Sequence, residues 1–303
     1  MAYGWASTLR QRLDTDVVDS FRRSPVTVVA GVLTSLFFLA ALFAPWIAPQ
    51  DPFDPASLNL LDAFTAPVWR EGGSWQFWLG TDDQGRDIFS AILFGLRLSL
   101  LVGFASVLFS LVVGVTLGLI AGYVGGMIDS LIMRVADVQL SFPAILIALL
   151  INGVARVVLP RASMEDLAVP VLILSIGLSG WVNFARTVRG STMVEKGKEY
   201  VLAARVIGRP TSFIMLRHIL PNVTGPILVI ATISLAVAIL AEATLSFLGV
   251  GVPPTQPSLG TLVNVGNNFL FSGEWWMVIF PGATLAILVL AVNLLGDWLR
   301  DAL

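Results

Sequence analysis

Lys196, Lys198 and His218 are the only residues of their types in this chain, and there is no cysteine. A phosphate-binding loop needs a lysine followed by Ser or Thr, so that ammonium and backbone N–H groups hold the phosphates and the hydroxyl holds magnesium. Gly197 follows Lys196 and Glu199 follows Lys198, so a nucleotide site of that type is excluded. A His-Glu-x-x-His metal helix needs two histidines. A Ser-His-Asp relay would have to use His218, which stands among Arg205, Arg209 and Arg217 in a charged stretch, and no Gly-x-Ser-x-Gly elbow accompanies it. Two kinds of feature remain. One is the punctuated, charged stretch from Glu199 to Pro226 between two apolar runs. The other is a set of polar residues inside such runs: Gln139, Ser141, Asn183, Glu242 and Asn293. An intramembrane acid such as Glu242 is a functional candidate. Ser and Asn in such places often only bond neighbouring helices, and Glu242 is equally open to a structural role.

The elements that must position these residues are membrane helices. The chain has 303 residues, 56% hydrophobic and 13% charged, against about 25% charged for soluble domains. Six spans are predicted, at 26–48, 98–123, 129–153, 168–188, 223–247 and 279–298, each near the roughly 20 apolar residues a bilayer requires. Arg134, Asp137 and Gln139 burden the first half of the third. The first apolar run is too long for a signal-peptide core of about 7–15 residues, so it reads as a retained helix. Arg10, Arg12, Arg22, Arg23, Arg134, Arg186, Arg189, Lys196, Lys198, Arg205, Arg209, Arg217 and Arg300 fall on one side. Only Arg70, Arg86, Arg97, Arg156 and Arg161 fall on the other. The positive-inside rule then places both termini and the 189–222 loop in the cytoplasm.

Residues 1–24 form a polar N-terminal segment in which Trp5, Leu9, Leu13, Val17 and Phe21 recur every fourth position, the stripe of a helix lying on the membrane surface. Residues 25–303 form the transmembrane domain. Its outer loops are 49–97 and 248–278. The first carries Pro49, Pro52, Pro55 and Pro67, then Trp69, Trp75 and Trp78, and ends acidic at Asp82, Asp83 and Asp87. The second carries Pro253, Pro254 and Pro257, then Trp275 and Trp276, and is expected to fold over the outer mouth.

Within the cytoplasmic loop, helix formers from Glu195 to Ile207 stop at Gly208, and Pro210 can open a second helix in its first turn. The result is a helix–turn–helix with a small-residue face at Ala203, Ala204 and Gly208. An amphipathic loop packing on its own bundle would show the same pattern. Gly114, Gly118 and Gly122 make a smooth ridge on the second span. Close helix packing is its expected use, and gating is the alternative.

The same loop, with Ala203, Ala204, Gly208, Leu220 and Pro221, resembles the "EAA" coupling loop of ABC-importer permeases. The resemblance extends to Leu79-Gly80-Thr81-Asp82-Asp83-Gln84-Gly85-Arg86-Asp87, Leu140-Ser141-Phe142-Pro143, Glu242 with Leu245-Ser246-Phe247-Leu248-Gly249, Pro257-Ser258-Leu259-Gly260 and Asn293-Leu294-Leu295-Gly296-Asp297. These are similar to the C-type subunit of the dipeptide, oligopeptide and nickel importers. Two positions depart from the pattern: the loop's name-giving acid falls at Leu202, with Glu199 nearly a turn earlier, and His218 stands where a hydrophobic residue is usual. The resemblance implies an all-α membrane protein of six transmembrane helices with the type I ABC-importer fold. It implies no catalysis, metal or cofactor on this chain. It implies coupling through Glu199, Ala203, Ala204, Arg205, Gly208, Arg209 and Pro221. The implied partners are a second homologous permease, two cytoplasmic ATPase subunits that hold ATP and Mg, and an extracytoplasmic peptide-binding protein, in a bacterial or archaeal cytoplasmic membrane. Nucleic acid is not among them. Di- or oligopeptides are the implied cargo; nickel chelates and glutathione are carried by relatives. A secondary transporter or a membrane-embedded hydrolase is the reading from another class, disfavoured by the few intramembrane acids and the missing catalytic clusters.

Overall fold

The computed structural model describes residues 19–302 apart from 53, 159, 161–163, 254 and 257. The stripe expected at Trp5, Leu9, Leu13 and Val17 lies outside the described residues, as do Arg161, Pro254, Pro257 and Leu303. Helix α1 (Pro25–Leu42) starts on Ser24, whose hydroxyl accepts from the Thr27 N–H, with Pro25 at the first helical position. A short α2 (Ala44–Ile47) follows. Among the described residues, the proline-rich stretch beyond it holds 3₁₀ turns at Pro55–Ser57 and Leu60–Asp62. Helix α3 (Ile88–Val124) has 37 residues. At 1.5 Å per residue it is about 55 Å long, well beyond the hydrocarbon core of about 30 Å. It begins ten residues before the predicted span because Asp87 caps it, accepting from the Ser90 N–H at 2.8 Å. The loop expected to run to 97 therefore ends at 87, and Arg97 lies in a helix.

The third predicted span is not one helix. It is divided into α4 (Gly126–Leu140) and α5 (Ala144–Val158), bent by 92° at the break. Pro143 has no N–H to continue the ladder and disfavours helical geometry at Phe142. Ser141 turns its hydroxyl back to the Asp137 carbonyl at 3.0 Å. The charges of α4 are met by α6 (Met164–Glu195): Arg189 grips Asp129 at 2.5 and 2.7 Å, and Arg186 pairs with Asp137. These pairs let α6 run as far as Glu195, so the loop expected from 189 starts at 196. Helices α9 (Thr224–Phe247), α10 (Leu259–Asn267) and α11 (Trp276–Ala302) complete the bundle, separated from α6 by two short loop helices, α7 (Glu199–Val206) and α8 (Thr211–Ile214). Among the described residues five helices are long and apolar enough to cross a membrane, and six spans result when α4 and α5 count as one.

The glycine ridge is a packing device. A Cβ built on Gly114 would stand 2.4 Å from the Trp181 carbonyl oxygen, one on Gly118 2.6 Å from that of Ala185, and one on Gly122 2.8 Å from that of Arg189. Helices α3 and α6 thus touch backbone to backbone over two turns. At one end of the bundle the 48–87 and 249–275 segments fold together as a cap. Trp276 donates its indole N–H to the Thr81 carbonyl at 3.1 Å, Arg70 stacks 5.5 Å above the Trp276 ring, and Arg86 and Asp82 form a buried pair at 2.5 Å. Residues 196–223 form the opposite end, the loop face. There Phe21 packs edge-on against Trp298 of α11.

Candidate functional site

On the loop face, Ile207 caps α7, and Gly208 follows at φ +80°. Gly208 N–H donates to the Arg205 carbonyl at 2.9 Å and Arg209 N–H to that of Ala204 at 3.1 Å. This pair of bonds is a Schellman stop, whose left-handed residue is glycine for want of a Cβ. Pro210 stands just before α8, and its carbonyl accepts from the Ile214 N–H at 3.1 Å. It is therefore the cap and not, as predicted, the first helical residue. A π-helical turn (Met215–Ile219) and a 3₁₀ turn (Leu220–Asn222) lead into α9.

The loop is moored by apolar and polar contacts. Val201, Ala204, Ile214 and Ile219 are buried against Val115, Leu119, Tyr123 and Val188. Arg205 lies 4.9 Å over the Tyr123 ring and donates to its hydroxyl at 3.2 Å, while Lys196 donates to the Tyr123 carbonyl. Tyr200 donates its phenol to Glu195 and accepts from the Asn222 amide at 3.2 Å. Lys198 meets the same Glu195 at 2.5 Å. Burial, with Glu195 as a hydrogen-bond and charge neighbour, pushes the Tyr200 phenol up to about 12.

This mooring divides the predicted small-residue face. Ala204 is 6% exposed and turned into the bundle, whereas Ala203 and Gly208 face out with Glu199, Arg205, Arg209 and Pro221. The reason is helical phase: Val201 and Ala204 are three apart and share the buried side. The outward side carries Leu202 and two large apolar groups that the sequence reading passed over, Val206 at 89% and Ile207 at 75% exposure.

A second feature is a cavity of about 610 Å³ between α3, α5, α6 and α9. Of the five polar residues singled out from sequence only Asn183 lines it. Ser106, Ser110, Ser179, Thr187, Ser234 and Thr244 supply its other polar groups, and no charged residue takes part among the described residues. Ser179, Asn183 and Thr187 recur every fourth residue, a polar stripe legible on α6. Ser106, fully buried, keeps a hydroxyl without a partner among the described residues. Glu242 is fully buried elsewhere: it accepts from Ser99 at 2.6 Å and Ser246 at 2.7 Å, and the Ser99 oxygen accepts from the Leu259 N–H at 3.3 Å. It ties α3, α9 and α10 together. Gln139 clamps the α4 end to α6, donating to the Leu178 carbonyl at 2.6 Å and accepting from the Trp181 indole at 2.7 Å. Ser141 sits in the helix break, and Asn293 is half-buried on α11 away from the cavity.

The segment from 114 to 303, which holds the loop and most of the cavity lining, matches the family model described as "binding-protein-dependent transport system inner membrane component". The chain belongs to this family. Residues 15–67 of the permease match the N-terminal transmembrane domain of oligopeptide transport permease C. The di/tripeptide transport system permease protein DppC of Pseudomonas aeruginosa is 41% identical over 90% of this chain and 87% of its own length. The oligopeptide transport system permease protein OppC of Bacillus subtilis is 37% identical over 95% and 88%. The glutathione transport system permease protein GsiD of Pectobacterium atrosepticum is 40% identical over 93% and 88%. In fold, the permease is similar to a chain of the MetNI methionine ABC transporter, with a TM-score of 0.54 at 18% identity over 70% of this chain and 96% of that one. The permease is thus a multi-pass inner-membrane component of a transport system and not an enzyme.

Proposed function

We propose that this permease is one membrane subunit of an ATP-driven importer of di- and oligopeptides. An extracytoplasmic binding protein delivers the peptide at the cap face. The peptide passes between this chain and a second, related permease, along the cavity that includes Asn183. Two cytoplasmic ATPase subunits bind ATP and Mg and drive the alternation of access, an equilibrium biased by nucleotide and cargo. Both termini and the loop face are cytoplasmic on this reading, in keeping with the excess of Lys and Arg there.

The observation that carries the proposal is the outward side of α7. Val206 and Ile207 stand at the tip of a moored, charged loop, where water would otherwise meet them. An exposed apolar group rimmed by Arg205 and Arg209 has the composition of a docking contact. Peptides fit the cavity better than the anionic cargo of a glutathione system, since no Lys or Arg lines it among the described residues.

Gly208 gives the test. Asn tolerates the left-handed conformation and Val does not. Gly208→Asn should keep most peptide uptake, and Gly208→Val should lose it together with peptide-stimulated ATP hydrolysis, while both insert normally. Equal uptake and stimulation in the two variants would remove the loop from the coupling path.

A further inference from the structure

A second pocket lies where the first span meets the cap. It has a volume of about 210 Å³ and is lined by Ile47, Pro49, Gln76, Trp78, Asp87 and Phe89. Asp87 is 1% exposed. Its Oδ2 is well served, accepting from the Ser90 N–H at 2.8 Å and the Ser90 hydroxyl at 2.6 Å. Its Oδ1 has no close hydrogen-bond partner among the described residues, and beyond Ser90 only the Phe89 N–H at the start of the helix supports the carboxylate. The adjacent cation does not help, because Arg86 spends its guanidinium on Asp82 at 2.5 Å. The Gln50 amide does not help either: its oxygen accepts from the Asp87 N–H at 2.7 Å and its nitrogen donates to the Ser57 carbonyl at 3.0 Å. A buried carboxylate with one oxygen unserved is costly unless a donor arrives from outside. Burial accordingly pushes the Asp87 carboxyl above the usual carboxylate range.

The walls name the donor. Trp78 and Phe89 stand with ring centroids 6.2 Å apart, tilted by 33°, and Trp78 is 60% exposed. Aromatic faces attract a cation, and an ammonium has three N–H donors and no acceptor. A quaternary ammonium would meet the rings but could give Oδ1 nothing. Depth in the membrane narrows the source. Ile47 ends the short helix α2 that follows the first span, Pro49 lies just beyond it, Phe89 is in the first turn of the next long helix, and Trp46 and Trp75 near them are 78% and 82% exposed. Exposed tryptophans at the ends of spans mark the headgroup level. We propose that this pocket binds the primary ammonium of an ethanolamine phospholipid headgroup, with Asp87 as counter-ion and Trp78 as the ring beneath it. The proposal does not depend on the cargo.

The test is lipid retention by the full-length permease in mixed bilayer discs, read by native mass spectrometry. Phosphatidylethanolamine and phosphatidylcholine of identical acyl chains are supplied in equal amounts. The parent should retain the ethanolamine lipid about tenfold or more over the choline lipid, the scale of a charge-assisted hydrogen bond. Asp87→Asn keeps an oxygen for the Ser90 cap and should abolish the preference. Trp78→Leu, at an exposed position, should lower retention of both lipids alike. Equal retention of the two lipids by the parent, an unchanged preference in Asp87→Asn, or unchanged retention in Trp78→Leu would overturn the proposal. Displacement of the lipid by an equal concentration of a free dipeptide would overturn the lipid assignment too, because the ammonium would then be the cargo's own.

Discussion

Alanine at Gly114 should separate α3 from α6, while alanine at Gly190, on α6 itself, should do the reverse and stabilise the chain. A Cβ at Gly114 would stand 2.4 Å from the Trp181 oxygen, 2.5 Å from the Phe184 Cβ and 3.1 Å from the Ala185 nitrogen. Carbon atoms are comfortable at about 3.5–4.0 Å, so α6 must withdraw by roughly 1 Å there. A gap of 0.5–1 Å forfeits about a quarter to a half of each neighbouring attraction. The same approach holds at Gly118 and Gly122, so the loss spreads along the interface. Overpacking of this kind costs about 1–3 kcal/mol, and the helix preference of Ala over Gly returns about 0.5–1 kcal/mol. The net expectation for Gly114→Ala is a destabilisation of about 0–2.5 kcal/mol. A Cβ at Gly190 meets nothing within 4 Å, so only the gain remains. Equilibrium unfolding of the purified chain in mixed micelles compares the two. If Gly114→Ala proves as stable as Gly190→Ala, the backbone-to-backbone contact is not what holds α3 to α6.

Glu242→Ala should unfold more readily than Glu242→Gln, because two buried serine hydroxyls lose their acceptor at about 1–3 kcal/mol each; a changed peptide preference with unchanged stability would return Glu242 to the cargo path. Single cysteines at Ser57 and Ser272 should react with an impermeant reagent from outside intact cells, and one at Ser212 should react only once the inner face is opened; labelling of Ser212 from outside would invert the proposed orientation, and no native cysteine gives a background. The Tyr200 phenol, held neutral to about 12 against an ordinary value of about 10, makes its contribution to the loop in full below about pH 10 and loses it as pH rises towards 12. An ultraviolet difference titration of the parent against Tyr200→Phe should therefore show a component with its midpoint near 12, and a midpoint near 10 would refute the Glu195 contact.

What the chain determined by itself is what local chemistry decides. Six apolar stretches had to become spans because no other burial satisfies about 20 apolar residues and their backbone in lipid. Gly208 followed by Pro210 had to stop one loop helix and admit another, since few residues accept φ +80° and proline cannot continue a helix. The absence of P-loop, thiol and multi-histidine chemistry was equally plain from Lys196 and Lys198, from the lack of cysteine and from His218 standing alone. Tertiary structure alone decided direction and partnership. The sequence reads 129–153 as one span, and the 92° bend there is held by Arg186, Arg189 and Gln139, which tie α4 to α6 across 39 to 60 residues of chain. Ala203 and Ala204 are chemically alike, and only the packing of α7 on Tyr123 and Val188 sends one to solvent and the other into the core. Glu242 was open to a cargo or a structural role from sequence alone, and only the fold brings Ser99, 143 positions away, within reach as its donor. A span's apolar pattern records that it is buried, not against what, because the neighbour that completes each contact comes from a distant part of the chain.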